Sequence, residues 1–254
     1  MLGTKKLLLA IAGFGLAAAG TAGGTFASFN AETTNAGNTF ATGTLTMTNT
    51  ANSGTACFSG AGAGNAATAG CSSFLAGANV APGAARQTGT VTVKNDGTLD
   101  ASKLYVYAPT SGDCVDAKTT EGNTLAFNPI TAKPLCGATL MSIEETTGGK
   151  HYCWYGVAGA TGTCESTLTT LNSSNATTTI GAFGTSHNAL AGKIDLAPVS
   201  ADGALATSGT PLAATGAAGA RTFEIALYLP NSASNQNALQ GLKSTFGLTW
   251  HIDS

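Results

Sequence analysis

Arg221-Thr-Phe-Glu-Ile-Ala-Leu-Tyr-Leu229 places Phe223, Ile225, Leu227 and Leu229 at every second position, with Thr222, Glu224, Ala226 and Tyr228 between them. Successive side chains of a strand point to opposite faces, so this alternation predicts a strand with one buried face. The chain ends on the same rhythm, Phe246, Leu248, Trp250 and Ile252, with Gly247, Thr249 and His251 opposite. Upstream, residues 88–94 alternate Val91 and Val93 with Thr90 and Thr92. Asn95-Asp96-Gly97 then supplies residues that tolerate positive φ, and residues 104–108 follow as another strand. Residues 42–49 repeat the pattern with Leu45 and Met47 set between Thr44, Thr46 and Thr48. After residue 27 no window of eleven or more residues carries a helical stripe. The sequence therefore predicts an all-β chain, a jelly-roll-like two-sheet sandwich with long Gly/Ala/Thr-rich loops.

Between these strands the chain is rich in small and polar residues. Gly60, Gly62 and Gly64 lie close together in residues 51–78, but their spacing fits neither a dinucleotide fingerprint nor a phosphate loop, so a surface loop is expected there. Short apolar runs at residues 140–143 and 152–157 are separated by Gly148-Gly149. Residues 168–217 are polar with few strand signals, and are expected to form loops and excursions rather than a second core.

The N-terminus reads differently. MLGTKK is followed by an uncharged run that ends at Glu32. Two lysines, an apolar segment and the small-residue exit Thr25-Phe26-Ala27 predict a secretory signal with cleavage between Ala27 and Ser28. An uncleaved anchor is the competing reading, because residues 7–22 approach spanning length, but Gly13, Gly15 and Gly20 dilute that segment. The expected organisation is a signal at 1–27, an N-terminal strand segment and hinge at 28–41, and one β domain at 42–254. Six cysteines follow the signal, an even number that in an exported chain implies disulfides. Pairing between sequence neighbours is expected: Cys57 with Cys71, Cys114 with Cys136, and Cys153 with Cys164. A zinc cluster would usually require a C-x-x-C pair, and the sequence has none.

Charged residues make up 9% of the chain, against about 25% in ordinary soluble domains. Eleven scattered Lys and Arg and a net charge of -2 form no basic patch, which argues against nucleic acid as a partner. So little charge gives weak repulsion between copies and favours self-association.

Candidate chemistry is sparse. His151, His187 and His251 form no H-E-x-x-H pair. Gly184-Thr185-Ser186-His187 begins like a nucleophile elbow, but Asn188 stands where the second glycine belongs. Glu144-Glu145 and Asp113 with Asp116 are paired carboxylates that read as exposed loop acids, and Asp113 and Asp116 lack the spacing of an EF-hand loop. Asn172-Ser-Ser174 and Asn175-Ala-Thr177 are sequons, so Asn172 and Asn175 are candidate glycosylation acceptors in an exposed loop. Trp154, beside Tyr152 and Tyr155, would serve either as a carbohydrate platform or as packing over a disulfide, and packing is the commoner use. No catalytic residue, metal or cofactor is assigned.

The block TFASFNAETTNAGNTFATGTLTMTNT, residues 25–50, resembles the signal junction and first strand of the TasA and camelysin family, whose precursors are cut by a dedicated signal peptidase of the SipW type. Pro82-Gly83, the 88–94 strand and the Asn95-Asp96-Gly97 turn are similar to the elements that follow in that family. Asn237-Ala-Leu-Gln240-Gly241 resembles its N-x-x-Q-G element before the closing strand. The six cysteines and Gly/Ala/Thr-rich loops differ from the lysine-rich founding members. The resemblance implies a secreted jelly-roll subunit of extracellular fibres, in a biofilm matrix or a surface filament, in which the N-terminal segment of one subunit completes the sheet of the next. Ser28, Phe29, Asn30, Ala31, Glu32, Thr33, Thr34 and Asn35 would form that donor strand, with Phe29 as anchor and Gly37 near the hinge. Pairing of the segment within its own subunit is the alternative use of the same residues. The implied partners are further copies of the chain, the signal peptidase during export, and a minor nucleating or anchoring protein. Because camelysin is described as a metal-dependent endopeptidase, a surface metalloendopeptidase is a second reading, and a monomeric adhesin or matrix-binding module is a third.

Overall fold

The computed structural model describes residues 44–59, 71–75, 80–109, 114–120, 123–159, 162–173, 176–200, 202–206, 208–214, 219–231 and 236–254. Its strands in chain order are β1 (Met47–Ala51), β2 (Cys57–Phe58), β3 (Gln87–Asn95), β4 (Lys103–Tyr107), β5 (Val115–Thr120), β6 (Asn123–Ile130), β7 (Leu140–Glu145), β8 (Tyr152–Tyr155), β9 (Ile194–Asp195), β10 (Ala220–Tyr228), β11 (Leu242–Thr245) and β12 (Thr249–Asp253). Among the described residues three short α-helices intervene, α1 (Pro134–Ala138), α2 (Leu168–Ser173) and α3 (Ile180–Ser186).

The main sheet runs β2-β1-β3-β10-β7-β8, antiparallel throughout. Its register explains which residues are buried. Ala51, Val91, Phe223 and Glu145 share one row across β1, β3, β10 and β7. Two residues along, Gly89, Ile225 and Ile143 share another. The period of two then puts Val91, Val93, Phe223, Ile225, Met141 and Ile143 on one face, where none is more than 2% exposed. Against this face lies a smaller sheet, β12-β4-β9, which contributes Leu104, Val106, Trp250 and Ile252. The Phe223 and Trp250 rings meet across the gap at 4.7 Å. Each such side chain, fully buried, is worth about 1.5–3 kcal/mol. The two-sheet, all-β sandwich expected from the alternation is thus the observed architecture. A third sheet, β11-β5-β6, flanks it.

Two expectations need correction. The β10 strand does not keep one wet face, because Ala226 and Tyr228 are buried alongside Phe223 and Ile225. On that outer face Tyr228 packs with its β7 neighbour Leu140 and with Leu171 of α2 and Val157. Residues 168–217 are also more than loops. Ile180 and Phe183, one helical turn apart on α3, join Leu196 and Leu212 in the main core. Thr179 caps α3 by accepting a hydrogen bond from Ala182 N at 3.1 Å. Tyr155 packs its ring on Phe183 at 4.9 Å and donates to Thr179 O at 2.9 Å, while burial pushes its phenol well above the usual range.

The Asn95-Asp96-Gly97 turn has a specific task. Asn95, fully buried, accepts from Gly97 N at 2.9 Å and donates to Leu99 O at 2.8 Å. Asp96 N donates to Thr46 O and Thr98 N to Thr44 O, so the turn holds the chain as it enters β1. A Cβ on Gly97 would lie 2.3 Å from Thr44 O, which is why only glycine fits. Thr48 Oγ1 adds a 2.7 Å bond to Asp96. All three disulfides join the sequence neighbours expected, Cys57–Cys71, Cys114–Cys136 and Cys153–Cys164. Among the described residues no helix is long and apolar enough to cross a membrane.

Candidate functional site

The feature of greatest functional interest is the edge of the smaller sheet. β12 pairs with β4 from Thr249–Tyr107 to Asp253–Lys103 and, among the described residues, has no strand on its other side. One row of its backbone N–H and C=O groups is therefore a template for a further strand. Trp250 and Ile252 point inward and are buried, so the edge is rigidly anchored.

Beside β12, residues 71–75 cross the inward face of β3. A Cβ on Gly89 would lie 1.8 Å from Phe74 O, so glycine is required for the crossing. Asn52, at φ 47°, clamps the crossing by donating to Phe74 O at 2.9 Å and accepting from Thr90 N at 2.8 Å. The Phe74 ring then meets Phe246, just ahead of β12, edge to face at 5.6 Å. Leu45, Met47, Phe74, Leu75, Phe246 and Leu248 are all only half-buried against the core. Among the described residues, a strand edge without a partner strand and a group of half-buried apolar side chains thus lie together.

The outward side of the same sheet carries a small cluster of polar and charged groups. His251 lies 2.7 Å from Asp253, Lys103 lies 2.9 Å from Asp195, and the Lys193 ammonium sits 4.2 Å over the Tyr105 ring. Burial, and then the Asp253 charge, push the Tyr107 phenol above its ordinary value. His251 and Asp253, both on β12, are thus set against each other, as are Lys103 and Asp195.

The acids read as exposed loop residues are elsewhere and otherwise engaged. Glu145 is 2% exposed, on β7, and forms a two-pronged ion pair with Arg221, which is 4% exposed. Arg221 also donates to Leu196 O at 2.6 Å and Ala197 O at 3.1 Å, and the Trp154 indole donates to Glu145 at 3.3 Å. Trp154 is therefore packing and not a free platform. Glu144 lies 2.7 Å from His151 and accepts from Cys164 N at 2.7 Å.

Asp116 is fully buried and caps α1, accepting from Leu135 N at 2.6 Å, Cys136 N at 3.1 Å and Ser244 Oγ at 2.6 Å. Cys114, Asp116 and Cys136 bring three potential metal donors within 4.8 Å of one another, but the two sulfurs are bonded to each other. Asp113 lies outside the described residues.

Gly184-Thr185-Ser186 forms the end of α3 and not a strand-to-helix turn. His187 follows it, packs between Tyr155 and Phe183, and bonds Gly192 O at 2.9 Å. Asn172 is half-buried, and its Oδ1 accepts from Tyr228 Oη at 2.6 Å and Asn231 N at 2.7 Å, so this sequon asparagine is part of a packed contact. Asn175, the cleavage position Ala27–Ser28 and the donor strand from Ser28 to Asn35 lie outside the described residues. No family model and no curated protein matches the chain.

Proposed function

We propose that the chain is a secreted, disulfide-stabilised structural subunit of the TasA kind, which polymerises head-to-tail into extracellular filaments by strand exchange. The donor is the N-terminal segment Ser28 to Asn35, extending toward residue 38, and the recipient is the β12 edge of the next copy. The observation that carries this reading is the β12 edge, which no other described strand pairs, lying beside half-buried apolar side chains. A strand added there would gain backbone hydrogen bonds from the edge and side-chain burial from the face. A donor ahead of the fold and a recipient edge on it make a contact that need not close, and repetition gives an open filament. Three disulfides support the extracellular setting, because such bonds persist in oxidising compartments. The resemblance of residues 25–50, 82–108 and 237–250 to the fibre family points the same way.

The test is electron microscopy of the purified chain starting at Ser28, beside a chain lacking residues 28–38. Regular filaments from the first and monomers from the second are expected. Monomers from both, across pH and concentration, would remove the reading, and zinc analysis with a chelator-controlled protease assay would then decide for or against the endopeptidase.

A further inference from the structure

We infer that residues 71–75 are a built-in placeholder for the incoming strand. They occupy, within one subunit, ground that residues 28–38 of a second copy take over on assembly, and Phe74 is the side chain that competes for it. The inference rests on the strand-exchange reading and adds to it the ground contested and its present occupant.

Four observations carry it. The first is position: Phe74 O sits over Gly89 on the inward face of β3, and the Phe74 ring rests on Phe246, immediately before the β12 edge. The second is the manner of attachment. Residues 71–75 form no strand and join no sheet. Their fastenings in the described chain include one side-chain bond from Asn52 and the Ser73 Oγ to Leu75 O bond within the segment itself. Such a segment is drawn from the low-stability end of a fold and can leave without unzipping a ladder.

The third is chemistry. Ser73-Phe74-Leu75-Ala76 and Ser28-Phe29-Asn30-Ala31 share the pattern Ser-Phe-x-Ala, so the placeholder and the donor present the same ring after the same small polar residue. An aromatic anchor that fits the Phe246 wall from within one copy also fits it from another. The fourth is retention. Cys71 is exposed and bonded to Cys57 on β2, so a displaced segment stays tethered to the sheet it left. Its Phe74 ring loses one contact surface without the chain losing its end.

A placeholder of this kind keeps the apolar face covered until a donor arrives, so premature association is slowed. Weakening it must therefore accelerate assembly, the opposite of what weakening an ordinary core contact does.

The test follows filament growth by light scattering on the chain starting at Ser28, with the wild type beside Phe74→Ala. A Cys57→Ser/Cys71→Ser double variant loosens the same segment without touching the ring. Thermal unfolding of each checks the fold. Phe74→Ala is expected to shorten the lag about tenfold, equivalent to about 1.4 kcal/mol removed from the occupied state. Hydrogen–deuterium exchange on wild-type filaments provides a readout that needs no variant. There Thr249–Asp253 are expected to exchange more slowly than in the monomer.

An unchanged or longer lag in filaments that still form overturns the inference, as does unchanged exchange of Thr249–Asp253 in those filaments. If the β12 amides are already protected in dilute monomer, the chain's own N-terminal segment is the occupant, and the second-copy assignment fails. If the wild type forms no filament at all, strand exchange itself fails, and the placeholder with it.

Discussion

Replacing Glu145 with Gln should be among the most damaging single changes in this protein, although it alters one atom of a side chain far from the β12 edge. The carboxylate and the Arg221 guanidinium are 3% and 5% exposed, so neither charge can recover water if its partner is removed. Glu145→Gln removes the countercharge and one of the two acceptor oxygens, and leaves the guanidinium with a neutral amide oxygen beside the carbonyls of Leu196 and Ala197. Arg221→Met leaves the carboxylate with the Trp154 indole N–H alone. Breaking a buried pair from one side costs about 3–5 kcal/mol. For a domain of roughly this size each kcal/mol lowers Tm by about 2–4 °C, so each single change should lower it by about 6–20 °C. The double change Glu145→Leu/Arg221→Met behaves differently. It removes both charges and leaves two carbonyls short of a donor and the Trp154 indole N–H short of an acceptor, at about 1–1.5 kcal/mol each. Its cost should be about 3–4.5 kcal/mol, below the about 6–10 kcal/mol obtained by adding the single changes. Urea unfolding with the disulfides intact measures this as shifts in midpoint at constant slope. Single variants within about 1 kcal/mol of wild type, or a double variant equal to the sum, would refute the claim that the pair is buried and coupled.

Two further outcomes follow from burial and charge. Under limiting dithiol the disulfides should open in order of access. Cys57–Cys71 should open first because Cys71 is exposed, then Cys153–Cys164, and Cys114–Cys136 last because both its sulfurs belong to residues 1% exposed; timed alkylation with mass spectrometry reads the order, and early loss of Cys114–Cys136 would contradict it. Burial pushes the Asp96 carboxyl up, but its bonds from Lys94 and Thr48 outweigh this and hold it below the ordinary value. Its folded pKa thus lies beneath its unfolded one, so its contribution is complete above pH of about 4 and fades as pH falls through the folded value. Asp96→Asn should therefore cost stability near neutrality and flatten the acid limb of the stability curve, and parallel curves for the two proteins would count against the assignment.

How much of this was legible in the sequence depended on range. Strand alternation is a local signal, and the 88–94, 104–108, 221–229 and 246–252 runs each became or bordered a strand at the expected parity. The disulfides were legible because short loops between neighbouring cysteines close readily. Parity also held an unused clue. Arg221 shares the inward phase of Phe223 and Ile225, and Glu145 shares that of Ile143 and Met141, so a buried pair was written into the register of two strands. Parity alone does not reveal it, because acids are usually exposed and nothing in either segment says that β10 and β7 are neighbours. Asp116 offered no such clue. Its partners, Leu135, Cys136 and Ser244, come from α1 and β11, and only the fold brings them together. Ile180 and Phe183 were missed for a different reason, since a single helical turn is too short to register as a period.

The placement of charge bears on why copies of such a chain would associate. The sequence is already poor in ionisable groups, and the fold withdraws Glu145, Arg221 and Asp116 from the surface altogether. Several of those that remain are set against each other: Lys94 with Asp96, Lys103 with Asp195, Arg86 with Glu224. Paired surface charges have little reach beyond a Debye length, so two copies meet with almost no long-range force either way. Recognition must then come from contact, from a matching strand edge and an apolar face of the right shape. On such a neutral surface an uncovered face would adhere to anything apolar, and charge could not hold copies apart. A cover that yields only to a strand with its own pattern supplies the selectivity that electrostatics does not, which is the physical case for Phe74 standing where the donor will stand.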